Sequence, residues 1–294
     1  MSILIPVLLF TFIVVLLLIL VLVFSRLLLP KGPLSLIIND KEPFTVSPGE
    51  TLLNALYAKE IYIPSACGGK GTCGYCKVRV LSGDTNPLPT EMEFLTRSER
   101  ETGFRLACQI KLMESCQIRV PPEYLDAREY HGVVSSTRVL TPSIREICIS
   151  LSPDESMEFA CGQYVQVRIP HEESPEGYVF RAYSIASEDT TATGITLTVK
   201  RIENGIGSTW LHALREGDAL SFTGPYGDWA LQTDKHLVLI GGGVGMAPMR
   251  SIILSLIHRH PEQKISLYFG ARTTSELLYH DFFRSLDDSH EHFT

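Results

Sequence analysis

Four cysteines stand in a pattern able to hold a metal cluster. Cys67, Cys73 and Cys76 follow a Cys-x5-Cys-x2-Cys spacing, and Cys108 comes after 31 intervening residues, inside Leu-Ala-Cys-Gln. Thiolates are soft ligands, and four of them, two per iron, are what a [2Fe–2S] cluster needs. Gly68, Gly69, Gly71 and Gly74 let the loop wrap closely, with backbone N–H groups able to approach the sulfurs. Zinc also takes four cysteines, but zinc ribbons pair two separate Cys-x2-Cys knuckles, and this sequence has one. Cys116 competes with Cys108 for the fourth place. It lies in Ser-Cys-Gln-Ile-Arg-Val, which alternates as a strand does and reads as a small packed thiol. Cys148 and Cys161 read as buried thiols of a later domain.

A second set of residues suits a flavin. Arg181-Ala-Tyr183-Ser184 offers a guanidinium for a pyrophosphate, a ring to stack on an isoalloxazine face, and a hydroxyl for its N5 edge. Gly205-Ile-Gly207-Ser208-Thr209 reads as a turn opening a helix, whose N–H groups can meet the same phosphates. Taken singly, each is an ordinary strand or turn residue; the order is what carries meaning. A third set follows the short apolar run His236–Ile240. Gly241, Gly242, Gly243, Gly245, Met246 and Pro248 form a Gly-rich turn before a helical stretch, Met249–His258, the arrangement that binds a dinucleotide phosphate. Arg272, after a second apolar run at Ile265–Phe269, is either a contact to the nucleotide or a solvated charge. His258 and His260 read as helix-end residues and not metal ligands. His280, His290 and His292 read as surface residues, and Trp210 and Trp229 as core or pocket wall.

The elements that would position these groups can be read from periodicity. Leu34–Ile38, a turn at Asn39–Asp40 and a return at Phe44–Val46 form a hairpin, and Thr51 precedes a helix through Leu52, Leu53 and Leu56. From about Arg128, short strands at His131–Leu140, Ile144–Leu151, Tyr164–Ile169, Ile195–Arg201 and Ala219–Gly224 suggest an antiparallel barrel. A second helix after Arg272 is expected from Ser275. Residues Met1–Ser25 carry no charged side chain, and Ile3–Phe24 is almost wholly Ile, Leu, Val and Phe. That run of 22 residues exceeds the ~20 that cross a bilayer core. No basic start or small-residue cleavage site suggests a signal peptide. Arg26 and Lys31 follow the run, which by the positive-inside rule puts the remainder in the cytoplasm. The span holds no ionisable group, so it reads as an anchor and not an ion path. The balance of 26 basic to 33 acidic residues, net charge −7 with no basic block, argues against a nucleic-acid partner. Seven cysteines, an odd number in a long chain, argue against a secreted disulfide framework.

The cysteine loop and its Arg-Leu-Ala-Cys108-Gln partner resemble the ferredoxin-type domain of chimeric NAD(P)H-dependent reductases, which implies a β-grasp sheet crossed by one helix. Arg-x-Tyr-Ser, Gly-x-x-Ser and Gly-Gly-x-Gly-x-Ala-Pro, in that order, resemble the ferredoxin–NADP+ reductase superfamily. That resemblance implies FAD held by Arg181, Tyr183, Ser184, Gly205, Gly207, Ser208 and Thr209, with Tyr183 and Ser184 at the reacting ring. It also implies NADH against Gly241, Gly242, Gly243, Gly245, Met246, Pro248 and Arg272. With the anchor in front, the whole order resembles the F subunits of Na+-translocating NADH:quinone reductases. The implied activity is hydride transfer from NADH to FAD, then single electrons through Cys67, Cys73, Cys76 and Cys108 toward other membrane subunits and, indirectly, quinone. The implied location is the inner membrane, single-pass, with the soluble domains on the cytoplasmic side.

The expected fold class is multidomain α+β and α/β. It comprises a transmembrane anchor (1–29), a β-grasp [2Fe–2S] ferredoxin domain (33–125), an antiparallel FAD-binding β-barrel (128–232) and a partial doubly wound NAD-binding lobe (235–294). That lobe has 60 residues and two β–α units, where five or six strands are usual. The superfamily's later Cys-Gly-Pro motif and its aromatic end are not in it, so the sequence is expected to be C-terminally truncated. Two alternatives follow. One is the reductase component of a multicomponent oxygenase, which normally lacks a span. The other is a non-catalytic, membrane-tethered electron-transfer fragment.

Overall fold

The computed structural model describes residues 4–28, 32–174, 177–189, 193–227 and 235–294. Lys31, Trp229 and the side chain of Arg26 lie outside the described residues. The chain divides into two compact units, Met1–Lys59 with Cys76–Pro121, and Glu60–Tyr75 with Pro122–Thr294.

The first unit opens with α1, Leu4–Leu28. Its stretch Ile5–Phe24 is apolar over 20 residues and buries none of them in the protein. A mixed sheet follows from β1 (Leu34–Ile38), β2 (Phe44–Val46), β3 (Lys77–Ser82), β4 (Phe104–Leu106) and β5 (Cys116–Arg119), in the order β2-β1-β5-β3-β4. β1 and β5 run parallel while the other pairs are antiparallel. The β1–β2 turn forms where expected, because Asn39 and Asp40 both accept positive φ (52° and 59°). Helix α2 (Leu52–Tyr57) starts where Thr51 Oγ1 accepts from the Asn54 N–H. It buries Leu52, Leu53, Ala55 and Leu56. A short helix, α3 (Arg97–Glu101), is closed by a Thr96/Glu99 capping box. Cys116 is buried in β5, as its alternation implies, and burial pushes its thiol up to about 11.

The second unit is built on β6 (Arg128–Thr141), β7 (Ile144–Leu151), β8 (Tyr164–Pro170), β9 (Tyr178–Ser184), β10 (Gly194–Lys200), helix α4 (Ile206–Ala213) and β11 (Ala219–Tyr226). The strands form one six-stranded antiparallel sheet, order β10-β7-β6-β11-β8-β9. The expected barrel is not closed by a full ladder. The two edge strands meet at one isolated bridge, Ile185 to Leu197, with the Ala186 N–H on the Thr196 carbonyl at 2.8 Å. Inside lie Ile147, Val165, Val167, Leu197, Leu211 and Phe222, each fully buried. Cys161 is buried, while Cys148 is only half-buried.

The same unit continues with β12 (Leu237–Gly242), α5 (Met246–Arg259), β13 (Ile265–Gly270) and α6 (His280–Ser289). β12 and β13 pair in parallel across the α5 crossover, the start of a doubly wound sheet. The second helix begins at His280 and not at Ser275. Thr274–Glu276 form a single 3₁₀ turn, and Tyr279 sits in the left-handed region (φ 59°). Its hydroxyl is drawn inward, donating to Glu146 Oε2 at 2.6 Å and meeting Thr198 Oγ1 at 2.8 Å.

Candidate functional site

The cysteine loop is folded by its own hydrogen bonds. The Gly68 N–H donates to the Ser65 carbonyl (2.9 Å) and the Gly69 N–H to Ser65 Oγ (2.9 Å). The Ser65 N–H is held by Gln166 Oε1 (2.6 Å), and Gln166 is itself fully buried in β8. Gly68 is a position that only glycine fills. Its φ is +67°, and a Cβ there would collide with the Arg181 guanidinium and stand 2.8 Å from the Phe180 carbonyl. The backbone of the cysteine loop therefore lies directly on β9, the strand of the Arg-Ala-Tyr-Ser motif.

Cys73 Sγ donates to Cys67 Sγ at 3.3 Å. That shared hydrogen bond holds the Cys67 thiol down at about 4 and pushes Cys73 well above the usual thiol range. Two metal–thiolate bonds of ~2.3 Å at a tetrahedral angle would put the sulfurs ~3.8 Å apart, so this pair is near the spacing of two ligands on one iron. Cys76 and Cys108 are buried in the first unit, where the Ala107 N–H donates to the Cys76 carbonyl at 2.8 Å. Of the four predicted ligands, the structure pairs Cys67 with Cys73. Among the described residues no group of three or more His, Cys, Asp or Glu side chains is placed to hold a metal ion.

A cavity of about 500 Å³ lies between β9, β10, the start of α4 and the start of α5. Of the residues predicted for the flavin, Arg181, Tyr183, Ser184, Gly205, Gly207 and Ser208 line it. Gly207 lets α4 approach, since a Cβ there would stand 2.7 Å from the Tyr183 hydroxyl. Tyr183 is neutral at any working pH, because burial raises its pKa to about 12 against the opposing pull of Arg181. The Ser208 hydroxyl is turned back, accepting from the Ile202 N–H at 3.0 Å. Thr209 lies on the other side of the helix, exposed and lining a separate cavity. Gly245 and Pro248 line the first cavity from the α5 side. Gly241, Gly242, Gly243, Met246 and Arg272 do not. Met246 is wholly buried in the lobe core and its N–H is spent on the Gly243 and Val244 carbonyls. Arg272 is exposed and faces Glu276 at 3.8 Å.

Two polar lining residues are not among those the sequence singles out, Thr198 and Lys200. Both lie on the polar face of β10, the Ile-Thr-Leu-Thr-Val-Lys strand. That alternation reads as core against solvent, but the polar face turns to the cavity. Lys200 brings a second cation to the cavity that Arg181 lines, which suits an anionic ligand.

The α5 helix is fastened to the segment that continues β9. Arg250 Nη1 donates to the Ala186 carbonyl (2.6 Å), His258 Nδ1 lies 2.8 Å from Glu188 and Arg259 Nη2 lies 3.2 Å from Asp189. These contacts set the Gly-rich turn opposite Tyr183 and Ser184.

Residues 36–113 match the sequence model of the 2Fe-2S iron-sulfur cluster binding domain. Residues 131–231 match an oxidoreductase FAD-binding domain and 239–294 an oxidoreductase NAD-binding domain. The chain is 33% identical to the F subunit of the Na(+)-translocating NADH-quinone reductase of Actinobacillus succinogenes, over 97% of this chain and 79% of the relative. It is 32% identical to the F subunit of the same reductase in Neisseria gonorrhoeae, over 100% and 82%. Among solved structures it is similar to the Amycolatopsis cytochrome P450 reductase GcoB, with a TM-score of 0.65 and 28% identity, covering 89% of this chain and 79% of that one. It is also similar to the ferredoxin reductase in carbazole 1,9a-dioxygenase, with a TM-score of 0.63 and 25% identity, covering 90% and 81%.

Proposed function

Because the chain belongs to the family of F subunits of Na+-translocating NADH-quinone reductases, we propose the residues that carry out its electron transfer from NADH through FAD to a [2Fe–2S] cluster. FAD accepts a hydride as an electron pair and releases electrons singly, which matches a two-electron donor to a one-electron cluster. Arg181 and Lys200 neutralise the FAD pyrophosphate, Gly205 and Gly207 bring the first turn of α4 against it, and Ser208 shapes that turn. Tyr183 stacks on the isoalloxazine and Ser184 holds its N5 edge. Gly245 and Pro248 place the nicotinamide across the cavity, with Gly241, Gly242 and Gly243 allowing the tight turn into α5. Cys67, Cys73, Cys76 and Cys108 ligate the cluster. The observation that carries this reading is one cavity lined jointly by the Arg-Ala-Tyr-Ser strand and the Gly-rich turn, with the cysteine loop packed on the same arginine.

The partners are the other subunits of the reductase, and quinone is reached through them. α1 anchors the chain in the inner membrane as a single span, with its soluble domains on the cytoplasmic side. It carries no ionisable group within Ile5–Phe24, so sodium movement belongs to the partners. The solved relatives named above are reductases of oxygenase systems, and their likeness supports the shared soluble architecture. The apolar span and the sequence relatives favour the quinone reductase assignment.

The test is anaerobic mixing of the purified, cofactor-loaded chain with NADH, followed by visible absorbance. Bleaching of the flavin and then of the cluster is expected. Reduction of both by dithionite but not by NADH would overturn the dehydrogenase assignment for this chain.

A further inference from the structure

We propose that the single 3₁₀ turn Pro89–Glu91 positions Cys108 and tunes the cluster's reduction potential, Glu91 fixing the backbone ahead of the cysteine and Thr90 aiming the Gln109 amide at its sulfur. This rests on the reading of Cys108 as a ligand.

Glu91 is 0% exposed and Arg105 1%. Every lone-pair direction of the carboxylate is used. Oε1 accepts from the Leu106 N–H at 2.7 Å and from Arg105 Nε at 3.1 Å. Oε2 accepts from the Leu88 N–H at 2.6 Å and from Arg105 Nη2 at 2.8 Å. The other arm of the guanidinium reaches the Asp84 carbonyl at 2.9 Å. Buried ion pairs rarely add stability over an apolar equivalent, because desolvating two charges is costly; their best use is to specify a geometry. The geometry specified here is the approach to Cys108. Leu106, whose N–H the carboxylate takes, stands two residues before it. The Ala107 N–H goes to the Cys76 carbonyl (2.8 Å), the Ala107 carbonyl takes the Leu53 N–H (3.1 Å), and the Gln109 N–H goes to the Leu106 carbonyl (2.8 Å). The peptide groups on both sides of the cysteine are thus pinned.

The side chain of Gln109 then reaches back. Its Nε2 lies 3.6 Å from Cys108 Sγ and 3.5 Å from the Cys108 carbonyl. Its Oε1 accepts from the Thr90 hydroxyl at 3.3 Å, one residue before Glu91. The same turn therefore grips Cys108 twice, through backbone and through an amide donor. An N–H···S bond stabilises the extra negative charge of the reduced cluster, so it raises the potential.

The experiment is an anaerobic dithionite titration of the full-length, cluster-loaded chain, monitored by the electron paramagnetic resonance of the reduced cluster. It needs no NADH. Gln109→Leu and Thr90→Val should each shift the midpoint to lower potential, and Thr90→Ser should retain the wild-type value. Thr90 acts only through Gln109, so the double variant T90V/Q109L should match Q109L alone. Glu91→Gln keeps an oxygen for the Leu106 N–H but removes the buried countercharge of Arg105, leaving it the exposed Asp84 carboxylate at 3.4 Å. It should speed cluster loss to a chelator; if it does not fold, the Thr90 and Gln109 variants still decide the matter. Unchanged potentials in Q109L and T90V, or a T90V shift that persists in the Q109L background, overturn the proposal. Cys108→Ser separates the two readings. If C108S leaves the cluster spectrum unaltered, the ligand assignment has failed; if it changes the spectrum while the Gln109 and Thr90 variants stay silent, only the tuning has failed.

Discussion

Gly207→Ala places one methyl group where α4 meets the flavin strand. The new Cβ would stand 2.7 Å from the Tyr183 hydroxyl, 2.9 Å from Arg181 Cγ and 3.3 Å from Arg181 Cβ. Ordinary carbon contacts lie at ~3.5–4.0 Å, so both side chains must yield by roughly half an ångström to one ångström. Overpacking of that size costs about 1–3 kcal/mol. Replacing Gly by Ala in a helix returns up to ~1 kcal/mol. The net loss of fold stability is therefore modest, on the order of 0–2 kcal/mol. The displacement falls on the two side chains proposed to hold the pyrophosphate and the ring. If ~1.5–2 kcal/mol of FAD binding depends on their placement, affinity drops roughly ten- to thirtyfold. The assay is FAD titration of the apo-flavoprotein by fluorescence quenching, with thermal unfolding alongside. A variant with wild-type affinity for FAD would refute the assignment of this cavity. A variant that loses FAD because it has unfolded would refute the modest stability cost instead, and leave the cavity to the affinity of folded protein.

Gly68→Ala drives a side chain into Arg181 from a left-handed backbone, so iron and FAD content of the purified protein should fall together; loss of iron alone would break the link between loop and strand. The Cys116 thiol is raised by burial from 9.0 to about 11, so the folded state keeps its proton where the unfolded chain has lost it. Stability should therefore decline as pH rises from about 9 toward 11, and urea unfolding of Cys116→Ala should show a shallower decline over that window. Removing residues 2–29 should move the protein from the membrane pellet to the supernatant, and a truncated form that still sediments with membranes would count against the anchor.

The residues whose structure depends on near neighbours were legible in the sequence. The Asn39–Asp40 turn, the Thr51 cap and the β7 strand Ile144–Leu151 lie where local chemistry places them. β9 is not legible as a strand in the sequence. From Tyr178 to Ser184 only Phe180 is buried, because the strand's other residues border a cavity or a loop, so burial does not alternate along it. Lys200 is illegible for a related reason, since a polar face toward a cavity carries the same letters as one toward water. The late start of α6 follows from Tyr279, whose hydroxyl bonds Glu146 from 133 residues away, a contact no local window can contain. Openness of the six-stranded sheet, likewise, is decided by whether β9 and β10 meet along a ladder or at one bridge.

At 25 residues, helix α1 is ~38 Å long, more than the ~30 Å of a bilayer core, and Ile5–Phe24 is buried against nothing among the described residues. Placed in a bilayer, as proposed, such a helix would confine the carrier's search for its acceptor to a plane instead of a volume. Its local concentration at a co-resident acceptor is set by the tether, on the order of millimolar for a short flexible link. The docking contact can then be weak and short-lived. A brief contact would suit the proposed hand-over of electrons one at a time.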